Sequence, residues 1–307
     1  MYQKFKNELC NIMKEGQFKE AEPMKNHTTF RIGGPAGFYA IPKTEAELSE
    51  IIKLCNQYEV PFFILGNGSN LLVSDEGFDG VVIEIKDQFA YCKVNESGVK
   101  TTVKAGAGIL LSKLAKEVYN YSLSGFEFAS GIPGTLGGAV AMNAGAYGGE
   151  IKDHIVSAKI MTRDGHVKEL RKDELELGYR RSVITKTADI ILEATFEFEK
   201  GNQDEIVALM KDFNGRRREK QPLEFPSAGS TFKRPEGYFA GKLIMDAGLR
   251  GFRIGDVMVS EKHCGFVVNT GNGTAAQVIE LIEQVTKKVE EQFGVKLEPE
   301  VRFVGKF

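Results

Sequence analysis

The chain has 307 residues, 42% hydrophobic and 27% charged, with a formal net charge of −2. That length supports two or three compact domains with their own cores, and the charge balance argues against a protein of nucleic acid or of a membrane surface, which carries a basic excess. The four cysteines, Cys10, Cys55, Cys92 and Cys264, are scattered without a CxxC pair, so neither a disulfide framework nor a metal site is expected.

In chain order, MYQKFKNELCNIMKEG is charged throughout and has no apolar core, so no signal peptide is expected. No run reaches the ~20 apolar residues of a membrane helix, and reduced thiols fit a cytoplasmic protein. Phe5, Leu9, Ile12 and Met13 fall on one face of a short helix. Thr44-Glu45-Ala46-Glu47 reads as a capping box before a second helix carrying Leu48, Ile51, Ile52 and Cys55. PFFILG is a buried strand, GNGSNLLVSD a loop, and VVIEI another strand, which makes a β-α-β unit. From about Val99, VKTTVKAGAG alternates as a strand, and Leu111, Leu114, Ala115 and Val118 form a helical stripe. FASGIPGTLGGAVAMNAGAYGGE holds too much glycine for a regular element. IVSAKIMTRDGHVKEL is a hairpin turning at Asp164-Gly165, and DIILEATFEFEK is a strand. A helix through MKDFNGRRREK stops before Pro222. Short strands follow around VMVSEKHCGFVVN. The last helix starts after Asn272 or Thr274 and buries Val278, Leu281, Ile282, Val285, Val289 and Phe293. The tail VKLEPEVRFVG is a strand interrupted at Pro299. Strands and helices in unequal clusters give an α+β class.

Two of these stretches carry chemistry. GNGSN at a strand end lets consecutive N–H groups turn inward as an anion nest, although a plain tight turn has the same composition. It is neither a Walker loop nor GxGxxG. In GIPGTLGGAVAMNAGAYG, the glycines permit close backbone approach and the Ala/Val/Met run lines an apolar slot; a tightly packed structural loop is the alternative. Two such nests suit a long ligand with a central pyrophosphate, such as a dinucleotide.

With NHTTFRIGGPA, LGNGSNLLVSD, GIPGTLGGAVAMNAGAYG, GYRRS, RRREKQP, AGSTFKRP, GKLIMDAGLRG, VSEKHCGFVVNTGNGTA and LEPEVRFVG in this order, the sequence resembles the UDP-N-acetylenolpyruvoylglucosamine reductase family from Asn26 to Gly305. The family, also called UDP-N-acetylmuramate dehydrogenases, works in bacterial cell-wall synthesis. The resemblance implies an N-terminal helical segment (1–21), an FAD-binding region of the vanillyl-alcohol-oxidase (PCMH) type built from two α+β subdomains (22–198), and an α+β substrate-binding domain (199–307). Little room exists for insertion before GYRRS, so the chain resembles the branch that lacks a substrate-closing tyrosine loop.

The same resemblance implies non-covalent FAD, NADPH as hydride donor, UDP-N-acetylglucosamine enolpyruvate as substrate, and a monomer. Its cofactor-binding positions are Gly66, Asn67, Gly68, Ser69, Asn70 and Leu71 in the first loop. In the second they are Gly131, Gly134, Thr135, Gly137, Gly138 and Ala141, joined by Arg217 and Arg302. Ser230 matches the proton donor, Arg180 the arginine holding the substrate carboxylate, and Glu300 the third catalytic residue. Lys220, Lys233 and Arg234 are expected on the substrate; a serine is a poor acid, and Lys233 and Arg234 supply local charge while Gly229 keeps the approach open. Arg181 and Glu298 are the neighbouring alternatives. RRREK alone reads as a solvated helix end or a basic patch. His27, His154, His166 and His263 show no metal spacing. Two rival functions remain open: an FAD oxidase of a sugar or hydroxy acid on the same fold, and a non-enzymatic UDP-sugar binder. Such oxidases often attach flavin through His or Cys, and neither glycine cluster contains one.

Overall fold

The computed structural model describes residues 2–97 and 100–307. Its packing groups the chain into two units, each assembled from segments far apart in sequence. One consists of Met1–Lys19, Tyr39–Asn67 and Gly80–Arg216, the other of Glu20–Phe38, Gly68–Asp79 and Arg217–Phe307.

In the first unit the helix Tyr2–Ile12 buries Phe5 and Leu9, and the Phe5 ring meets Tyr58 edge-on. The helix Glu45–Gln57 starts at Thr44, whose side chain accepts from Glu47 N. The expected reciprocal bond of a capping box is not made. The Glu47 carboxylate instead accepts from Lys43 N and from Gln17 Nε2, because a buried glutamine nearby competes for it. The strand Phe62–Leu65 runs parallel to Phe78–Glu84, with Phe62 opposite Val81. A five-stranded sheet has the order Val167–Arg171, Ile155–Met161, Ile190–Phe198, Thr101–Gly106, Cys92–Asn95, every pairing antiparallel. Its alternation puts Val103, Ala105, Ala194, Phe196 and Phe198 inside, and Phe126 packs edge-on against the last two. The hairpin turns at Gly165 with φ +86°. Val99 lies outside the described residues.

One expectation fails here. The glycine-rich segment does hold regular structure: a 3-10 turn at Glu127–Gly131 and a short helix at Leu136–Ala141 that buries Leu136, Ala139 and Val140. Backbone bonds from outside pin that helix, Leu136 N to Ile109 O at 2.9 Å and Gly137 N to Ala107 O at 2.8 Å. Tertiary contact overrides the low helix propensity of two adjacent glycines.

The second unit has a four-stranded sheet in the order Ser227–Ser230, Phe266–Asn269, Val257–Val259, Arg253–Ile254. The helix Ala275–Phe293 lays Val278, Leu281, Ile282, Val285 and Val289 into a core shared with Phe30, Ile32, Leu72 and Ile244. Phe293 only packs against the edge of that core. LLV, expected within a loop, is the strand Leu71–Val73, paired in parallel with Arg302–Val304. Three residues are too few to show a period; the partner 231 positions away creates the strand. Among the described residues no helix is long and apolar enough to cross a membrane.

Candidate functional site

Within the first unit the two glycine clusters meet. Asn67 Nδ2 donates to Pro133 O at 2.7 Å. A Cβ on Gly66 would stand 2.3 Å from Thr135 Oγ1, so a larger residue there would have to turn that hydroxyl away. Gly134 O accepts from Leu111 N, and Thr135 bridges to Leu110. Gly137 is a packing glycine, its missing Cβ 3.0 Å from the Ala107 methyl. Gly138 is different: nothing lies within 4 Å of where its Cβ would be, so the chain leaves open space beside it. Gly131 ends the 3-10 turn. The two loops are thus bound to each other, with Gly138 open to solvent on a short helix that buries Ala139 and Val140.

Arg180 stands in a tight turn closed by Gly178 N to Arg181 O at 3.0 Å and Arg181 N to Gly178 O at 3.2 Å. Its φ is +54°, a conformation that costs a non-glycine residue about 1–2 kcal/mol. The turn is fastened to the second glycine cluster. Ser182 Oγ, fully buried, donates to Ala141 O at 2.6 Å, and Asn143 Nδ2 donates to Gly178 O at 3.1 Å. The Glu150 carboxyl is held below its ordinary range by the Lys152 ammonium first, against a partial desolvation, then by Asn143 and by the charge of Arg180. Arg181, the alternative, is exposed.

Ser230 and Glu300 come together in the second unit through Thr231. Ser230 ends a strand opposite Phe266, after a register break in which Gly229 takes φ +74°. Gly229 is needed for that dihedral, and open space beyond it leaves the serine accessible. Thr231 is buried and saturated: its N donates to Gly265 O, its hydroxyl accepts from Val267 N, and its O accepts from Glu300 N at 2.8 Å. Phe232 bridges to Pro299, and Lys233 N donates to Glu298 O. So 231–233 and 298–300 run side by side, with Ser230 and half-buried Glu300 at one end. The alternative, Glu298, is exposed and salt-bridged to Lys233 Nζ at 3.0 Å. The charges expected beside the serine also make other contacts: Lys233 Nζ pairs with Glu298 at the surface, and the Arg234 guanidinium lies over Phe239 at 3.9 Å.

The rest of the first loop belongs to the same unit. A Cβ on Gly68 would sit 2.1 Å from His27 O, and Thr29 N donates to Gly68 O. The block NHTTF therefore supports the loop, and His27 itself contacts Glu22 at 2.7 Å. Ser69 is half-buried. Asn70 Nδ2 donates to Glu300 O, and Arg302 N donates to Asn70 O, so Asn70, Leu71, Glu300 and Arg302 form one backbone assembly. Arg217 and Lys220 occupy the last turn of the helix Gln203–Lys220, Arg217 half-buried and Lys220 exposed. Neither lines the open cavity formed by Phe225, Arg253, Met258 and Lys262. Thr231 and Asn143 escaped the sequence analysis because their roles are hydrogen bonds to residues remote in the chain. Among the described residues no cluster of His, Cys, Asp and Glu could hold a metal ion.

Residues 36–171 match a family described as FAD binding domain, and residues 221–304 match one described as UDP-N-acetylenolpyruvoylglucosamine reductase, C-terminal domain. A UDP-N-acetylenolpyruvoylglucosamine reductase of Lachnoclostridium phytofermentans is 54% identical over 298 residues, covering 97% of this chain and 96% of its own. One of Alkaliphilus oremlandii is 55% identical over 284 residues, 92% of each. The crystal structure of the UDP-N-acetylenolpyruvylglucosamine reductase from Thermus caldophilus has a TM-score of 0.78 at 35% identity, covering 94% of this chain and 98% of that one. The α+β class and the FAD-binding type of fold expected from the sequence agree with these matches.

Proposed function

The chain belongs to the UDP-N-acetylenolpyruvoylglucosamine reductase family, FAD-dependent oxidoreductases, and on that premise we propose that it reduces UDP-N-acetylglucosamine enolpyruvate to UDP-N-acetylmuramate with NADPH. The observation that best supports a role for particular residues is the Thr231 carbonyl, which accepts from Glu300 N at 2.8 Å and so brings the residue after Ser230 against Glu300.

When bound, FAD supplies hydride transfer, from NADPH to the terminal carbon of the enolpyruvyl double bond. The chain supplies positioning and charge. Hydride at the terminal carbon leaves negative charge on the neighbouring carbon, shared with its carboxylate. Arg180 binds that carboxylate; a guanidinium is always charged and can grip it bidentately. Ser230 Oγ gives the proton to the carbon that carries the charge. Glu300 assists enolate stabilisation, either as a hydrogen-bond donor to it or by organising Arg180, since a bare carboxylate would repel the enolate. Gly138, with Asn67, Ser69, Asn70, Leu71, Gly131, Gly134, Thr135, Ala141, Arg217 and Arg302, holds the flavin, while Gly66, Gly68 and Gly137 shape the two loops by packing and turning; Lys220, Lys233 and Arg234 hold the substrate. In this reading 22–198 carries most of the cofactor contacts together with Arg180, 199–307 most of the substrate contacts together with Arg217 and Arg302, and the protein works as a cytoplasmic monomer.

Steady-state NADPH oxidation by the yellow purified protein tests this. Consumption should depend on the enolpyruvyl substrate and match UDP-N-acetylmuramate formed mole for mole. Consumption indifferent to that substrate, or a protein that never carries flavin, contradicts it.

A further inference from the structure

Asn143 is 1% exposed and adopts φ +43°, a left-handed conformation that asparagine tolerates better than most residues. Its side chain makes three bonds. Nδ2 donates to Glu150 Oε2 at 2.9 Å and to Gly178 O at 3.1 Å, and Oδ1 accepts from Lys152 N at 2.9 Å. Gly178 opens the turn that carries Arg180, and Glu150 is the carboxylate that feels the Arg180 charge. Ser182 closes the far side of the same turn on Ala141. One buried amide therefore holds both the backbone from which Arg180 springs and a carboxylate that is paired with Lys152 at 2.6 Å and also feels the Arg180 charge.

We propose that Asn143 is a positioning residue for Arg180, holding the Gly178–Arg181 turn and the Glu150 carboxylate in register so that the guanidinium meets the substrate carboxylate in one fixed orientation. The inference rests on the role of Arg180 given above. The physical basis is that a strained arginine keeps its geometry only when its surroundings over-determine it. A bidentate contact is lost by small displacements: about 1 Å of misplacement is enough for roughly a hundredfold in rate. Asn143→Asp retains the shape and the acceptor toward Lys152 N. It replaces two donors by an oxygen facing a carbonyl and a carboxylate, and so frees the turn.

The test is a double-mutant cycle on the flavin-loaded protein, with Asn143→Asp, Arg180→Lys and both together. Three quantities are measured: flavin bleaching by NADPH, flavin reoxidation by UDP-N-acetylglucosamine enolpyruvate, and calorimetric affinity for UDP-N-acetylmuramate. Asn143→Asp should slow reoxidation and weaken product binding by roughly ten- to hundredfold and leave bleaching within about twofold. In the Arg180→Lys background it should add less than about twofold, because residues acting through one another are not additive. Additive losses, or equal losses in both half-reactions, assign Asn143 a merely structural role and overturn the proposal. Glu150→Gln, which keeps an acceptor for Asn143 but removes the charge, runs the same cycle if Asn143→Asp does not fold. If Arg180→Lys is impaired but neither Asn143→Asp nor Glu150→Gln is, this inference alone fails. If Arg180→Lys leaves reoxidation and product binding intact, the role of Arg180 fails and the proposal with it.

Discussion

A Cβ on Gly68 would stand 2.1 Å from the His27 carbonyl oxygen with φ at +61°, whereas a Cβ on Gly138 would meet nothing within 4 Å. Both glycines belong to motifs expected at a cofactor, yet only the second leaves space that a ligand can use. Gly138→Val should therefore keep the melting temperature of the flavin-free protein and lose most bound flavin. Gly68→Val should lower that temperature first, since backbone strain and a main-chain clash together cost at least about 2 kcal/mol. Released-flavin absorbance beside thermal melting separates the two; full flavin in the Gly138 variant would move the cofactor elsewhere. The sequence showed that both clusters are glycine-rich but not which glycine turns, which packs and which leaves room. That difference lies in neighbours such as His27 and Ala107, which no local window contains. The same holds at Ser230: its motif was legible, while the pairing of Lys233 with Glu298 was not.

Elements show a similar division. The helix Ala275–Phe293 was readable from its stripe and its start, and Thr274 with Gln277 does form the full capping box. Its remaining amides are capped from a distance: Asp75 Oδ1 accepts from Ala275 N at 2.8 Å and Oδ2 from Ala276 N at 3.0 Å. The carboxylate also complements the positive end of the helix. Asp75→Ala should cost about 1 kcal/mol, read as a lower denaturation midpoint at unchanged slope; no loss would show that water replaces the cap fully. His263 ties stability to pH. Burial holds its imidazole below the ordinary value of 6.5, and Nδ1 accepts from Gly265 N, which requires the neutral ring. Below pH 6.5 the unfolded chain binds the proton more readily than the folded one, so stability is complete above that value and falls as the pH drops toward 5. His263→Gln should flatten this slope in melts between pH 5 and 7.5; an unchanged slope would place the titration elsewhere. The short helix at 136–141 stayed hidden because six residues with two glycines carry no helical period, and its stability comes from Ile109 and Ala107.

At the scale of the molecule, the family was legible because many blocks recur in order, although each block alone is ambiguous. The grouping of segments into packing units was not, since Glu20–Phe38 and Gly68–Asp79 join residues beyond 216 through contacts that leave no mark on composition. The proposed reaction divides the work into two halves, and only the second needs a proton at a substrate carbon. Anaerobic rapid mixing of Ser230→Ala, followed by flavin absorbance, tests this most directly. NADPH should bleach the variant at close to the normal rate, and reoxidation by UDP-N-acetylglucosamine enolpyruvate should slow by about a hundredfold to ten-thousandfold, the worth of a positioned general acid. Ser230→Cys should retain more activity than alanine, because a thiol still donates. If alanine slowed both halves equally, or neither, Ser230 would not be the proton donor.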